Sequence, residues 1–270
     1  MALTKVLITV KTYPTISAKY DELVCTAGFR EDGTWVRIYP VPFRKRAYTE
    51  QYRKYDWIEL DLVKNTSDFR PESYRPASLD SEINVVGHVD TSRNWEERRK
   101  LCMSNIYSNL SELIEEAKDK NICSSLALFK PTKVLDFYAE PVERDWSRKK
   151  LEALSQLNLF EPNKKGEFEV VKKLPYKFKF RFIDNQGKES NMMIEDWETG
   201  QLFWNCLARH EGNEHKAIED VRKKYFNDFA LTKDLHFYLG TTQKNHYISH
   251  NPFMIIGTFH PKVENQIKLF

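Results

Sequence analysis

Residues 176–182 read YKFKFRF, an alternation of aromatic rings and positive charges. Side chains of an extended chain point alternately to opposite sides, so this pattern puts the rings on one face and the cations on the other. A helix would mix the two sets. The stretch therefore predicts a β-strand with its rings turned toward a core and its cations, Lys177, Lys179 and Arg181, turned outward.

Other strand patterns lie on both sides of this stretch. Residues 22–29 and 34–41 are strand-like runs joined through Asp32-Gly33, a strong turn signal, and we expect them to form a hairpin. The remaining predicted strands have alternating or short apolar runs and comprise residues 6–10, 57–63, 84–89, 126–138, 190–195, 235–239 and 253–259.

Four segments have apolar residues at helical spacing. The longest is residues 94–120, for which Asn94 is the predicted N-cap. The others are residues 144–157, the run after Asp196 that carries Trp197 and Trp204, and the run after Asn213. About ten strands and four helices, arranged in blocks, predict an α+β fold with a mostly antiparallel, barrel-like sheet.

The polar run at residues 161–166, EPNKKG, is the best candidate for a domain boundary. It divides the chain into an N-terminal α+β part, residues 1–160, with the hairpin and the long helix, and a C-terminal part, residues 161–270. Because no Gly/Ser-rich or Pro-rich linker is present, one continuous domain is the alternative.

The composition is typical of a globular protein. The chain has 270 residues, 41% of them hydrophobic, and its formal net charge of +3 is too small to predict nucleic-acid binding by itself. The apolar run at residues 6–10 is too short for a signal peptide or a membrane span, so no membrane partner is expected. The four cysteines form no CxxC pair, which favours free thiols and a cytoplasmic location.

Two local clusters of positive charge indicate a polyanionic partner. Residues 43–54, FRKRAYTEQYRK, hold five cations, one carboxylate and three rings, and residues 164–181 hold seven cations against two carboxylates. Cations that neutralise phosphates release counterions, and nearby rings stack on unpaired bases. The predicted phosphate contacts are Arg37, Arg44, Lys45, Arg46, Lys177, Lys179 and Arg181, and the predicted stacking rings are Tyr39, Tyr48, Trp197 and Trp204.

Carboxylates and histidines support an alternative, an enzyme that acts on nucleic acid or nucleotides as a metal-dependent nuclease or a base-processing hydrolase. The candidate catalytic residues are Asp184, Asp196, Glu198, His236 and His246. Asp196 and Glu198 have a simpler interpretation as a helix cap and a complement to the helix dipole. No zinc-ligand spacing is present, so no metal site is predicted, and Mg²⁺ is expected only if the nuclease alternative holds.

The end of the chain, residues 234–241 (DLHFYLGT) followed by residues 251–259 (NPFMIIGTF), resembles the closing strands of PUA-like barrels of the ASCH and EVE type. The resemblance covers the C-terminal third and rests on strand order and texture. It implies a small barrel flanked by helices, with a cleft that takes a nucleobase, often a modified one. No site residue of that family is matched here, so none is carried over.

Three hypotheses follow from the sequence. The leading one is a nucleic-acid-binding protein that recognises modified or unpaired bases in DNA or RNA. The second is the enzyme described above, although the chain has no GxxxxGKS, GxGxxG, GxSxG or HExxH pattern. The third is a protein-interaction module in which the predicted helix at residues 94–120 docks a partner chain.

Overall fold

The computed structural model describes residues 3–17, 21–148, 151–152 and 170–264. The chain forms two compact units. The first contains Met1–His88 and Glu140–Lys177, and the second contains Val89–Ala139 and Phe178–Phe270. The boundary predicted at residues 161–166, and with it the division after residue 160, lies outside the described residues, as does half of the helix predicted at residues 144–157.

The first unit is built around a closed ring of five strands. Its strands are β1 (Leu3–Lys11), β2 (Thr15–Ser17), β3 (Asp21–Phe29), β4 (Trp35–Val41), β5 (Asp56–Lys64), β6 (Ser73–Pro76) and β7 (Asn84–His88). The ring runs β1-β3-β4-β6-β5 and closes because β5 also pairs with β1. Its β4–β6 pair is parallel and the other ring pairs are antiparallel. The predicted barrel-like sheet is therefore confirmed in this unit.

The predicted hairpin is confirmed as the β3–β4 pair. Its turn places Gly33 at a φ of +79°, a backbone conformation that glycine adopts without a steric penalty. The Asp32 carboxylate accepts the Thr34 N–H at 2.9 Å, which fixes the turn. On β3, Gly28 faces the backbone of Leu7 so closely that an added Cβ would lie 1.8 Å from the Leu7 carbonyl oxygen, so only glycine fits.

The second unit contains two sheets. Its strands are β8 (Ile106–Tyr107), β9 (Leu126–Phe129), β10 (Lys133–Pro141), β11 (Tyr176–Ile183), β12 (Glu189–Met193), β13 (His236–Thr241) and β14 (Phe253–Phe259), of which β10 and β11 also run a few residues into the first unit. One sheet has the order β10-β11-β12 and the other has the order β14-β13-β9-β8. A bridge between Ile194 and Ile255 links them.

The strand predicted at residues 176–182 is confirmed as β11. Phe178, Phe180 and Phe182 are at most 1% exposed, whereas Lys177 and Arg181 are exposed. The buried rings meet rings of other elements, for example Phe180 and Phe237 at 4.8 Å between centroids. Each fully buried phenylalanine contributes about 1.5–3 kcal/mol, so this strand anchors the core of the second unit.

The helices of the second unit are α1 (Ser92–Cys102), α2 (Leu110–Lys118), α3 (Trp197–Arg209) and α4 (Glu214–Arg222), which continues as a π-helix over Lys223–Ala230. Within the described residues, no helix is long and apolar enough to cross a membrane. Helices and sheets together confirm the α+β class.

The prediction of one helix over residues 94–120 is wrong. Arg93, Asn94 and Trp95, near the start of α1, have positive φ values, and after α1 the chain forms the short strand β8 and then α2. Asn94 caps nothing, because its side chain bonds the backbone of Lys262 in both directions. The cap of α2 is Asn109, whose side-chain oxygen accepts the N–H groups of residues 111 and 112. The proposed docking helix therefore does not exist as a continuous element.

Candidate functional site

The connection between β4 and β5 carries the first basic cluster, and buried side chains hold it in place. It forms two short 3₁₀ helices, Phe43–Lys45 and Tyr48–Glu50. Phe43 and Tyr52, on either side of the second helix, are buried and their rings meet edge to face at 4.9 Å. The Tyr52 hydroxyl also bonds the Thr26 hydroxyl at 2.5 Å inside the barrel. We call residues 43–54 the anchored loop.

Arg46 fixes the anchored loop from its other side. Its guanidinium donates to the carbonyl oxygen of Ser81 at 2.6 Å and to that of Leu79, and it lies 3.5 Å from the Glu50 carboxylate. The Gln51 amide in turn donates to the Arg46 carbonyl oxygen at 3.0 Å. These charge-assisted bonds hold the loop in one conformation.

Tyr48 projects from the anchored loop into solvent. It is 90% exposed, the highest value among the exposed large hydrophobic side chains of the described residues, and Tyr39 on β4 is 39% exposed. Burying an aromatic ring against an apolar or aromatic surface is favourable, so a ring held in water by a fixed backbone is available for stacking. Tyr39 and Tyr48 therefore both have exposed ring surface on which a base could stack, as their predicted role requires.

The cations of the anchored loop are mostly engaged within the protein. Arg44 pairs with Glu22 at 2.6 Å, and Arg53, whose side chain is 73% exposed, lies 3.4 Å from Asp56. Lys54 is buried and Lys45 is half-buried. The loop therefore presents less positive charge to solvent than its count of five cations and one carboxylate indicates.

Arg44 pairs with a buried carboxylate, that of Glu22. Burial raises the pKa of this carboxylate, while Arg44 and the Val171 N–H, which donates at 3.2 Å, act in the opposite direction. A buried carboxylate needs such partners. Arg44 is therefore a structural partner of Glu22 in the first unit, a pairing that no local sequence pattern predicts.

Arg37 does not lie where a phosphate would reach it. It is 4% exposed, and burial lowers the pKa of its guanidinium. Its nitrogens lie 3.9 Å from the Cys25 sulfur and 3.9 Å from the Glu72 carboxylate. The expectation of a surface cation here fails because Arg37 lies on a strand, β4, that is buried on both sides along most of its length.

The three cations of β11 lie on its outer face, as predicted. Lys177 and Arg181 are exposed and Lys179 is half-buried. Arg181 lies 3.7 Å from Glu189 on the paired strand β12, a surface ion pair of small energetic value. Alternate residues of a strand repeat about every 6.8 Å, so these side chains form a regular row of charge.

Trp197 and Trp204 flank the buried face of α3. Thr199, Phe203 and Cys206 of this helix are buried, whereas both tryptophans are half-buried. Trp204 meets Phe203 edge to face at 5.1 Å. Both rings keep part of their surface in solvent while they pack against the unit.

The candidate catalytic carboxylates lie at two different places in the second unit, Asp184 after β11 and the other two at the start of α3. Asp184 is buried and accepts three backbone N–H groups, those of Leu110, Gln186 and Lys188. This makes it a turn and helix-start residue. Asp196 is also buried and precedes α3 without capping it through its side chain, and Glu198 is exposed in the first turn of that helix. Asp196 therefore occupies the N-cap position of α3, as predicted, although its side chain makes no capping hydrogen bond.

The two candidate catalytic histidines are both buried. His236 begins β13, its Nδ1 lies 3.0 Å from the Asp234 carbonyl oxygen, and burial lowers its pKa. His246 bonds the Ala117 carbonyl oxygen through Nε2 at 2.6 Å and the Thr241 hydroxyl through Nδ1 at 2.8 Å. Both ring nitrogens of His246 are thus engaged in structural bonds.

No group of three or more His, Cys, Asp or Glu side chains in the described ranges has the geometry to hold a metal ion. The four cysteines, Cys25, Cys102, Cys123 and Cys206, are free. Sequence reasoning missed the cluster around Cys123, since its sulfur meets His246 across 123 positions of the chain and no spacing rule connects them.

Two family models match successive stretches of the chain. Domain of unknown function (DUF8758) matches residues 2–104, and Domain of unknown function (DUF8757) matches residues 107–270, more than half of the sequence. No curated protein matches the chain. Because neither family description names an activity, the geometry of the residues carries the functional argument.

Proposed function

The chain belongs to the family Domain of unknown function (DUF8757), whose description names no activity, and we propose from its surface chemistry that it binds single-stranded nucleic acid by stacking bases on Tyr48. The observation that carries the proposal is a ring that is 90% exposed on a loop fixed by buried anchors. A loop that is already fixed loses little conformational entropy on binding, so little of the stacking free energy of each base is offset.

The barrel gives a second line of support by analogy. Around the ring the strands have the order β1, β3, β4, β6, β5. If these five are numbered one to five along the chain, the order is 1-2-3-5-4, and the third and fifth strands are parallel. This order resembles OB-type barrels, many of which bind oligonucleotides on the sheet of the second and third strands. Here β3 and β4 bury Ala27, Phe29 and Arg37, so we place the contact on the anchored loop that follows β4.

The charges indicate that stacking contributes more than phosphate contacts. Arg44 and Arg46 are held by Glu22 and by backbone carbonyl groups, and Arg53 is the exposed cation of the anchored loop. Lys177, Lys179 and Arg181 on β11 add a second row of phosphate contacts to the proposal. We therefore expect unpaired bases to be preferred over duplex, with a moderate salt dependence.

The free thiols support a cytoplasmic location, which we include in the proposal because reducing compartments keep cysteines unpaired. DNA and RNA both present the ring faces that Tyr48 needs, and modified bases keep those faces. The proposal therefore concerns unpaired bases in either polymer.

The test is a binding titration by fluorescence anisotropy. Labelled oligonucleotides of about 12 residues, as single strands of DNA and RNA and as duplex, are titrated with the protein at low and moderate salt. Tyr48→Ala should weaken single-strand binding by about 1–3 kcal/mol, whereas Tyr48→Phe, the matched control that keeps the ring, should retain it. Equal affinities of Tyr48→Ala and the natural protein, or a preference for duplex, would contradict the proposal.

A further inference from the structure

A groove on the surface of the second unit runs along one face of α2 and has a volume of about 570 Å³. Lys188, in the turn between β11 and β12, and His250, in the loop after β13, line it together with residues of the helix. A volume of about 300–1,000 Å³ is typical of sites for small ligands. Three elements that are distant in sequence therefore form a recess of the size that a small molecule occupies.

The helical side of the groove is a single face of α2. Ser111, Ile114, Glu115 and Lys118 line the groove and recur every three or four positions, so they are neighbours on the helix surface. Asp119, the C-cap, continues this lining, whereas the opposite face of the helix is buried. At a rise of about 1.5 Å per residue, Glu115 lies about 6 Å and Asp119 about 12 Å along the helix axis from Ser111.

Two hydrogen-bond donors lie at the Ser111 end of the groove. The Lys188 ammonium donates to Ser111 Oγ at 3.1 Å. Because the serine oxygen accepts this bond, its own hydrogen points away from the lysine and can donate to a ligand, and the ammonium keeps two further hydrogens. A carboxylate accepts from two such donors at once, one on each oxygen, and hydrogen bonds between ionised groups are the stronger ones. This end of the groove therefore suits a ligand carboxylate.

The charged side chains of the groove are available to a ligand. Among the residues that the structure describes, no ion pair involves Lys118, Lys188, Glu115 or Asp119. All four are exposed, and Asp119 also accepts the N–H of residue 121 at 2.8 Å. Because these two cations and two carboxylates balance, the complementary ligand carries charges of both signs. A phosphate group, with charges of one sign only, is a poorer match.

We propose that this groove is a binding site for a short peptide of two or three residues with free amino and carboxyl ends. The peptide carboxylate lies between Lys188 and Ser111, and its ammonium group lies between Glu115 and Asp119. Two or three extended residues span about 7–10 Å, which matches the separation of about 6–12 Å between Ser111 and these two carboxylates. Ile114, half-buried between the two ends, contacts an apolar side chain of the peptide. The site belongs to the second unit and does not depend on the proposed nucleic-acid contact of the first unit.

Isothermal titration calorimetry of the full chain tests this proposal with the tripeptide Ala-Leu-Ala. Two blocked forms serve as comparisons: the N-acetylated peptide, which has no ammonium group, and the C-terminal amide, which has no carboxylate. We expect the free tripeptide to bind and each blocked form to bind at least about tenfold more weakly, because each has lost charge-assisted hydrogen bonds. No binding of the free tripeptide at millimolar concentration, or equal affinities of the three peptides, would overturn the proposal.

Variants of the two ends and a matched control locate the site. Lys188→Gln should weaken binding of the free tripeptide by about tenfold and leave binding of the C-terminal amide unchanged, since that form has no carboxylate to lose. Glu115→Gln should weaken the free tripeptide but not the acetylated one. Lys216→Gln removes an exposed lysine of α4 that does not line the groove, so this variant should bind the tripeptide as the natural protein does. Equal affinities of Lys188→Gln and the natural protein for the free tripeptide would also overturn the proposal.

Discussion

The two stretches that join rings to cations, residues 43–54 and β11, use the same residue types in opposite ways. In the anchored loop, Arg44 and Arg46 are tied to protein groups while Tyr48 is 90% exposed. In β11, Phe178 and Phe180 are buried while Lys177 is exposed. Composition alone therefore does not tell which part of such a stretch meets a ligand. The neighbouring acids, carbonyls and rings decide it.

The largest difference between the two stretches should be in stability. Phe180→Ala removes a fully buried ring from the second unit and should cost about 3–5 kcal/mol of unfolding free energy. Tyr48→Ala removes an exposed ring and should change it by less than about 0.5 kcal/mol. Urea unfolding measures both, with Phe180→Leu as an intermediate control. Similar losses of unfolding free energy in Phe180→Ala and Tyr48→Ala would contradict the assignment of a buried ring to β11 and an exposed ring to the anchored loop.

The second largest effect should come from the arginines of the anchored loop. Arg46→Ala removes charge-assisted bonds to the carbonyl oxygens of Leu79 and Ser81 and should cost about 1.5–3 kcal/mol. Arg53→Ala, at a 73% exposed side chain with a single ion pair at 3.4 Å, should cost at most about 1 kcal/mol. Thermal and urea unfolding compare the two variants. If Arg53→Ala is the more destabilising, the anchoring role of Arg46 is wrong.

His236 extends the comparison to a buried ionisable group of the second unit. Burial lowers its folded pKa from 6.5, so the unfolded chain binds the proton more readily than the folded one. Its stabilising contribution is present above pH 6.5 and is lost as the pH falls toward the folded pKa, with a slope of at most about 1.4 kcal/mol per pH unit. His236→Gln should flatten this part of the stability profile, measured by urea unfolding between neutral and mildly acidic pH.

The control for this pH dependence is His215→Gln, since the His215 side chain is 83% exposed. That variant should keep the slope of the natural protein. A slope that survives in His236→Gln but disappears in His215→Gln would show that His236 is not the group responsible.

The smallest effect on stability is expected on the outer face of β11. Lys179→Gln combined with Arg181→Gln should change the unfolding free energy by less than about 0.5 kcal/mol. Under the proposed function, the same double variant should reduce the slope of log affinity against log salt by about 1–2, because each lost phosphate contact removes about one released counterion. An unchanged slope would exclude these cations from the interface.

The sequence was informative where the pattern is local. The strand at residues 176–182 and the turn at Asp32-Gly33 were predictable because side-chain alternation and turn chemistry act over a few residues. The prediction of a helix over residues 94–120 was wrong because the chain leaves helical geometry after Cys102 and forms β8 before α2 begins at Leu110, a break that leaves no trace in apolar spacing. Tertiary contacts override such spacing.

Candidate site residues were harder to predict because their roles depend on distant partners. Arg44 pairs with Glu22, and Arg46 donates to carbonyl oxygens more than 30 positions along the chain. Arg37 was expected on a surface, yet it belongs to a strand, β4, that is mostly buried. Tyr48 is exposed, whereas Phe43 and Tyr52, on either side of it, are buried. Residue type alone therefore predicts neither the partners of these side chains nor their exposure.

The most direct test of the central claim is photocrosslinking of the protein to a single-stranded oligonucleotide that carries 5-bromouracil, followed by identification of the crosslinked peptide. We expect a crosslink at Tyr48 or an adjacent residue of the anchored loop, which Tyr48→Ala abolishes. A crosslink confined to other peptides, or one that persists in full with Tyr48→Ala, would contradict it.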